Sequence, residues 1–327
     1  MIAAVLRQRQ GNVGRIRLDN PKTTNAMSLE MIDALHAALD HFAQDSAAEI
    51  VVIDHANDPG FCVGGDAMGL AKSGRTDGKW ASAYFARQAE LNLRIHGYEK
   101  PVMTIADGPT IGGGLGLLLA ATHKVVTERS MVAFLEPTVG MAPDVGASWV
   151  LPRLPGATGM WLALTGSKLV GEDIVNRGLA DQYVPQQDLP GLIDQVSQDP
   201  PPMSSQTDTT FVDEQIEAVF GLSHLDDVLS ALEDSDDPWS AKQLTAIRRA
   251  SPEAIVETFR LMRRGADFKD FAQALAAEVA INSRLVRGHD WLSFARANLL
   301  EKDQPLSRSF PSIEAALERM GEGQPCT

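Results

Sequence analysis

The feature that most constrains this chain is an alternation in its first 190 or so residues. Short apolar runs with strand composition are separated by stretches with helical spacing. Runs at 13–18, 50–54, 101–106, 124–127 and 132–135 read as strands, and the run at 50–54 is apolar throughout until its closing acid. A strand apolar on both faces must be covered on both sides. Strands separated by helical segments imply crossover connections and largely parallel pairing. Between the first two runs Ser28 stands where a helix N-cap belongs, with Glu30 in the first turn where the helix dipole favours an acid. Ile32, Leu35, Leu39 and Phe42 then recur at spacings of 3, 4 and 3, which puts them on one helical face. A helix is also predicted over 157–164, ended by Gly166.

Beyond this α/β part the composition shifts. Residues 199–202 read DPPP, a breaker, and 207–238 carry ten acids and no Lys or Arg. Leu222, Leu225, Val228, Leu229 and Leu232 still give this stretch a helical stripe, so it reads as an acidic insertion, partly helical and partly mobile. Ser251-Pro252-Glu253 has Ser at N-cap and Pro at N1, the start of another helix, and helical patterns continue to about Met320. The expected organisation is an α/β core over 1–198, an acidic insertion or linker over 199–250 and a helical region over 251–327.

Charge narrows the partners. The net charge is −14, which suits neither the phosphate backbone of a nucleic acid nor an anionic membrane surface. A polyanionic ligand would need a local basic patch or helix N-termini against that field. The cysteines, Cys62 and Cys326, form no CxxC pair, and the seven histidines show no HExxH, so metal catalysis has no support. No run of 18 apolar residues and no basic, apolar, small-residue leader is visible, so a cytoplasmic protein is expected.

Three loops carry chemistry. The first holds Gly64, Gly65 and Asp66; the second, directly after the run at 101–106, holds Gly112, Gly113 and Gly114; the third spans residues 135–146 and holds Glu136 and Asp144. Glycines at strand-to-helix junctions let backbone N–H groups approach a ligand, and two such donors on one carbonyl oxygen would form an oxyanion hole. The same glycines also suit tight turns and close packing. The second cluster fails as a dinucleotide fingerprint, because GxGxxG starting at Gly112 needs glycine where Leu117 stands. Glu136 and Asp144, eight residues apart, suit a base or nucleophile and a group that orients water, or else a capping Asp and a surface Glu. No GxSxG is present, so in a hydrolase carboxylates would have to act.

These loops, in this order, resemble the crotonase (enoyl-CoA hydratase/isomerase) superfamily. Residues 20–28, NPKTTNAMS, resemble its N-P-x-x-x-N-A-L-S entry to the first helix. Pro143-Asp144-Val145-Gly146, the LPRLPG of 151–156, Arg287-Gly288-His289-Asp290-Trp291 and Asp303-Gln304 are similar to motifs of the 3-hydroxyisobutyryl-CoA hydrolases within it. The resemblance implies a spiral of ββα units with a helical C-terminal part. It implies oxyanion donors at Gly65 and Gly113, catalytic acids at Glu136 and Asp144, and substrate contacts at Gly64, Asp66, Gly112 and Gln88. The implied reaction is hydrolysis of a small 3-hydroxyacyl-CoA, with no cofactor because CoA is part of the substrate. A homo-oligomer (dimer, trimer or hexamer) is also implied.

Gly116 stands where hydratases carry a catalytic Glu, which favours a hydrolase. The chain departs from the hydrolase motifs at Leu135-Glu136-Pro137, at Gln88 in place of a substrate-contacting glutamate, and at Ser293-Phe294. An enoyl-CoA hydratase or isomerase, or an inactive CoA-binding protein, stands as the alternative.

Overall fold

In a computed structural model the described residues are 4–201, 211–300 and 312–320. Asp303-Gln304, Cys326 and residues 207–210 of the acidic stretch lie outside them. In chain order the first elements are β1 (Val5–Gln10), β2 (Val13–Leu18), α1 (Leu29–Gln44), β3 (Ile50–His55), α2 (Ala67–Gly74) and α3 (Lys79–His96). There follow β4 (Val102–Ala106), β5 (Pro109–Ile111), α4 (Gly113–Leu119), β6 (His123–Val126), β7 (Met131–Ala133), α5 (Glu136–Val139), α6 (Ala147–Val150) and α7 (Thr158–Thr165). Then come β8 (Leu169–Val170), α8 (Asp173–Asn176), β9 (Gln182–Tyr183) and α9 (Leu189–Val196). The remainder is helical: α10 (Glu214–Phe220), α11 (Leu225–Glu233), α12 (Pro238–Arg249), α13 (Pro252–Gly265), α14 (Phe271–Leu285), α15 (His289–Ala295), a π-helical turn at Arg296–Leu300, and α16 (Ile313–Met320).

These residues fall into two units, and no single cut in the chain separates them. One lies within Met1–Asp66, Arg87–Ala133 and Lys168–Thr210; the other lies within Ala67–Ala86, Phe134–Ser167 and Phe211–Thr327.

The first unit is built on a six-stranded sheet of order β1-β2-β3-β4-β6-β9. Only β1 runs antiparallel to its neighbour; the other pairings are parallel, as the alternation of runs and helices predicts. β3 and β4 show why: their side chains are buried on both faces, except at His55. Val13, Ile50, Val52, Met103, Ile105 and Val125 form one side of the core, closed by Val184 and by Ile193 and Val196 of α9. A smaller sheet joins β5, β7 and β8. Ser28 caps α1 by accepting from the Met31 N–H, and Ile32, Leu35, Leu39 and Phe42 are all buried. β1 escapes notice in the sequence because four of its six residues are exposed, which leaves no apolar alternation to read.

The second unit is a helical assembly around α13, which buries Ile255, Phe259, Leu261 and Met262 and packs against α5, α6, α7, α14 and α16. Ser251 caps α13 by accepting from the Ala254 N–H. The acidic stretch forms α10, α11 and the start of α12, with Leu225, Val228, Leu229 and Leu232 of α11 buried and its acids outward. Gly166 ends α7 in the left-handed conformation, φ 62°.

Candidate active site

In the first unit the two glycine loops lie together. Asn25 is buried with a positive φ of 56°. Its side-chain amide donates to the carbonyls of Gly60 (3.1 Å) and Phe61 (2.9 Å) and accepts from the Asn20 N–H (2.6 Å). The Met27 N–H donates to the Gly64 carbonyl at 2.8 Å, and Met27 pairs with Gly65 as an isolated parallel bridge. On its other side the first loop pairs Cys62 with Thr110, through Ile111 N–H to Cys62 O (3.0 Å) and Cys62 N–H to Pro109 O (3.1 Å). Isolated bridges therefore join residues 62–65 to Met27 on one side and to Thr110 of β5 on the other.

Gly113 opens α4, so its N–H is one of the first-turn donors that have no acceptor within the helix. A Cβ at 113 would lie 2.5 Å from the Met27 methyl, 2.6 Å from the Gln88 amide nitrogen and 3.3 Å from the Gly64 carbonyl oxygen. Gly65, Gly113, Gly64 and Gln88 thus share one neighbourhood, with Gly112 and Asp66 adjacent in the chain. Gly114 serves packing: a Cβ there would meet the Cys62 carbonyl oxygen at 2.4 Å. The packing use open to the second cluster in the sequence is met at Gly114. Gln88 is buried, and so is Asn92 one turn later on α3. The Gln88 Nε2 and both side-chain polar atoms of Asn92 have no hydrogen-bond partner among the described residues. Unmade bonds of this kind are costly in a core and mark groups available to a ligand.

In the second unit Glu136 opens the single turn of α5 and Asp144 stands in the following loop. Both residues keep partial solvent contact, but the Glu136 Oε2 is buried and has no hydrogen-bond partner among the described residues. Burial, then the Asp144 charge, pushes the Glu136 carboxyl up to about 8. Burial pushes Asp144 up to about 6, opposed by a hydrogen bond from Asn282. Partly buried carboxylates held at neighbouring, unequal acidities are the arrangement that divides acid and base roles.

The motifs around these acids prove to be fastenings. Asp290 accepts from the Ser251 hydroxyl at the α13 N-cap, and Trp291 packs so close beneath Gly140 that a Cβ there would lie 2.6 Å from its backbone nitrogen. Arg153 donates to the carbonyls of Trp149 (2.7 Å), Gly265 (2.9 Å) and Phe268 (3.0 Å), and its guanidinium lies 3.6 Å from the Trp149 ring centroid. Sequence reasoning missed Glu278 and Asn282 on α14, which bond directly to the Asp144 loop. The signal was two polar residues four apart among the buried Phe271, Ala274, Leu275, Ile281 and Leu285.

Comparison with known proteins sets this chemistry in a family. The sequence model of the enoyl-CoA hydratase/isomerase family matches residues 13–320. The 3-hydroxyisobutyryl-CoA hydrolase, mitochondrial, of Gallus gallus is 32% identical over 92% of this chain and 83% of its own length. The protein of the same name from Homo sapiens is 30% identical over 92% and 82%. A crystal structure described as an enoyl-CoA hydratase from Rhodobacter sphaeroides superposes with a TM-score of 0.85 at 32% identity, covering 95% of this chain and 94% of that one. One described as a carnitinyl-CoA dehydratase from Mycobacterium thermoresistibile gives 0.83 at 28%, covering 96% of each chain. With the crotonase-type α/β architecture, the paired glycine loops and a family match over nearly its whole length, the chain belongs to the enoyl-CoA hydratase/isomerase, or crotonase, superfamily.

Proposed function

We propose that this protein hydrolyses a small 3-hydroxyacyl-CoA thioester, 3-hydroxyisobutyryl-CoA first among them, releasing 3-hydroxyisobutyrate and CoA as in valine breakdown. The observation that carries the reading is the pair of partly buried carboxylates Glu136 and Asp144 in one turn and loop. The relatives named as hydrolases of that ester, at about 30% identity, support it.

In this reading the N–H groups of Gly65 and Gly113 hold the negative charge that develops on the thioester oxygen. Ionised Glu136 attacks the carbonyl carbon directly, giving a mixed anhydride, or removes a proton from the water that does so. The C–S bond breaks and the sulfur leaves as thiolate, which takes up a proton. On the anhydride route a water then cleaves the anhydride, restoring Glu136 and freeing the acid. Asp144 orients the water or the substrate hydroxyl. Gln88, whose amide nitrogen is buried beside Gly113 without a partner, holds a polar group of the acyl chain. Gly64, Asp66 and Gly112 line the path of the CoA ester.

No helix among the described residues is long and apolar enough to cross a membrane. The named hydrolases are mitochondrial; we propose the cytoplasm for this chain, and a dimer, trimer or hexamer as its assembly. A hydratase is the second reading, favoured by the crystal structure so described. Against it, the position where hydratases carry a second Glu is Gly116, inside α4 and without a side chain. The test follows thiol release from 3-hydroxyisobutyryl-CoA while monitoring enoyl-thioester absorbance with crotonyl-CoA. Thiol release without hydration of crotonyl-CoA is the expected result. Hydration without thiol release selects the second reading, and neither activity leaves a CoA-binding protein.

A further inference from the structure

The loop that carries Asp144 is strained and tethered to one face of α14. Val145 has φ 57°, a left-handed conformation that a β-branched residue rarely adopts and that persists only where the surroundings impose it. Glu278 imposes it from one side. Its Oε2 accepts from the Gly146 N–H (2.8 Å), and its Oε1 accepts from the Ser148 N–H (2.8 Å) and hydroxyl (2.6 Å). One turn further along, Asn282 grips the other end of the loop. Its Oδ1 accepts from the Ala142 N–H (3.0 Å), and its Nδ2 donates to the Ala142 carbonyl (2.9 Å) and to Asp144 Oδ2 (3.2 Å). Both side chains are almost fully buried. Six hydrogen bonds from two residues thus define the loop from 142 to 148.

We propose that Asn282 and Glu278 are positioning residues of the reaction, Asn282 orienting Asp144 and favouring its ionised form, Glu278 holding the strained turn on which Asp144 stands. The inference rests on the hydrolase reading for its role in turnover, and on geometry alone for its effect on Asp144. The charged groups facing this loop are Glu136 from α5 and Glu278 from α14. Burial pushes Glu278 up to about 8, against the pull of its Ser148 and Gly146 donors. The N–H that Asn282 donates is, with the backbone hydrogen bond of Asp144 itself, what opposes the burial that raises Asp144, since a hydrogen bond to a carboxylate favours its charged form. A residue at 282 that only filled space would leave this balance untouched.

Two substitutions test what Asn282 does. Asn282→Ala removes the donor. Asn282→Asp keeps an acceptor for the Ala142 N–H but sets a carboxylate against Asp144. The Asp144 carboxyl is titrated by carbon-13 NMR without substrate, its signal assigned with Asp144→Asn. Its pKa is expected to rise in the order wild type, Asn282→Ala, Asn282→Asp, by at least about one unit overall, a tenfold change in acidity. Thiol release should follow: for a one-unit rise from about 6, about threefold less kcat at pH 6.5, approaching tenfold at lower pH and recovering at higher pH, with KM changed by less than about twofold. An unmoved Asp144 titration in both variants, or a loss of activity equal at every pH, overturns the proposal. A wild-type protein that releases no thiol refutes the hydrolase reading, and the titration still decides what Asn282 does.

Discussion

The two units solve opposite problems with the residues proposed for catalysis. In the sheet unit the working groups are backbone N–H donors at Gly65 and Gly113, which carry no formal charge. What the sequence must supply there is space and fixed direction. It does so with glycine where chains approach closely and with Asn25 and Met27 bonded to the first loop. In the helical unit the working groups are carboxylates, which resist burial. There the chain must hold charge out of water, and burial drives Glu136, Asp144 and Glu278 all upward in pKa. Backbone donors bring no formal charge into the fold but are easily blocked by a Cβ. Carboxylates tolerate neighbours but destabilise the fold that holds them. The two halves should therefore fail differently when altered.

The largest difference should appear at Glu136. Glu136→Gln keeps the shape and removes the charge. Loss of a positioned acid, base or nucleophile costs about a hundredfold to ten-thousandfold in the chemical step. Thiol release under single-turnover conditions should fall by at least that lower figure, while binding of the CoA ester, followed by calorimetry, stays within a few-fold. Near-normal turnover would show that the carboxylate half is structural.

In the sheet unit the corresponding change is Gly113→Val. Loss of one oxyanion donor lowers kcat by roughly 10²–10³. A Cβ at 113 first meets the ends of two flexible side chains, Met27 and Gln88, which can move aside. At 114 a Cβ meets the Cys62 backbone, which cannot. Gly113→Val should therefore lose turnover at temperatures where circular dichroism shows the fold intact, while Gly114→Ala lowers the melting temperature more for the same loss. Full activity per folded molecule in Gly113→Val would assign both glycines to packing.

What was legible in the sequence follows the same division. Apolar runs fixed by burial on both faces, such as β3 and β4, read correctly because only a covered strand satisfies them. Caps at Ser28 and Ser251 read correctly because a local hydrogen bond decides them. The glycine loops and the two acids stood out through residue type and order, and the family resemblance gave them roles. β1 was silent because an edge strand with an exposed face carries no pattern. Glu278 and Asn282 show in the sequence only as two polar residues four apart on an apolar face; their partners lie 130 to 140 residues away, and no local spacing encodes such a contact. The fastening role of Arg153 and Asp290 was hidden in the same way. Their motifs were visible, but the carbonyls and hydroxyl they bind belong to other elements and loops.

The smallest expected effect is on stability, and its sign is opposite to that on activity. In the unfolded chain Glu136 titrates near its ordinary value of 4.5; in the fold, burial and the Asp144 charge raise it to about 8. The folded state thus holds a proton that the unfolded state releases between those values, and stability falls as pH rises through that window. Below about 4.5 Glu136 is neutral in both states, and a glutamine in its place should change little. Above about 8 the native protein bears a buried charge there that glutamine lacks. Glu136→Gln should therefore be the more stable protein at pH 8.5, with the gap closing toward pH 5. Urea unfolding of both proteins at intervals across that range measures it. Gly113→Val, in the uncharged half, should show no such dependence on pH. Parallel curves for the wild type and Glu136→Gln would mean that the carboxylate is not held against its ordinary acidity, and the contrast between the two halves would fall with it.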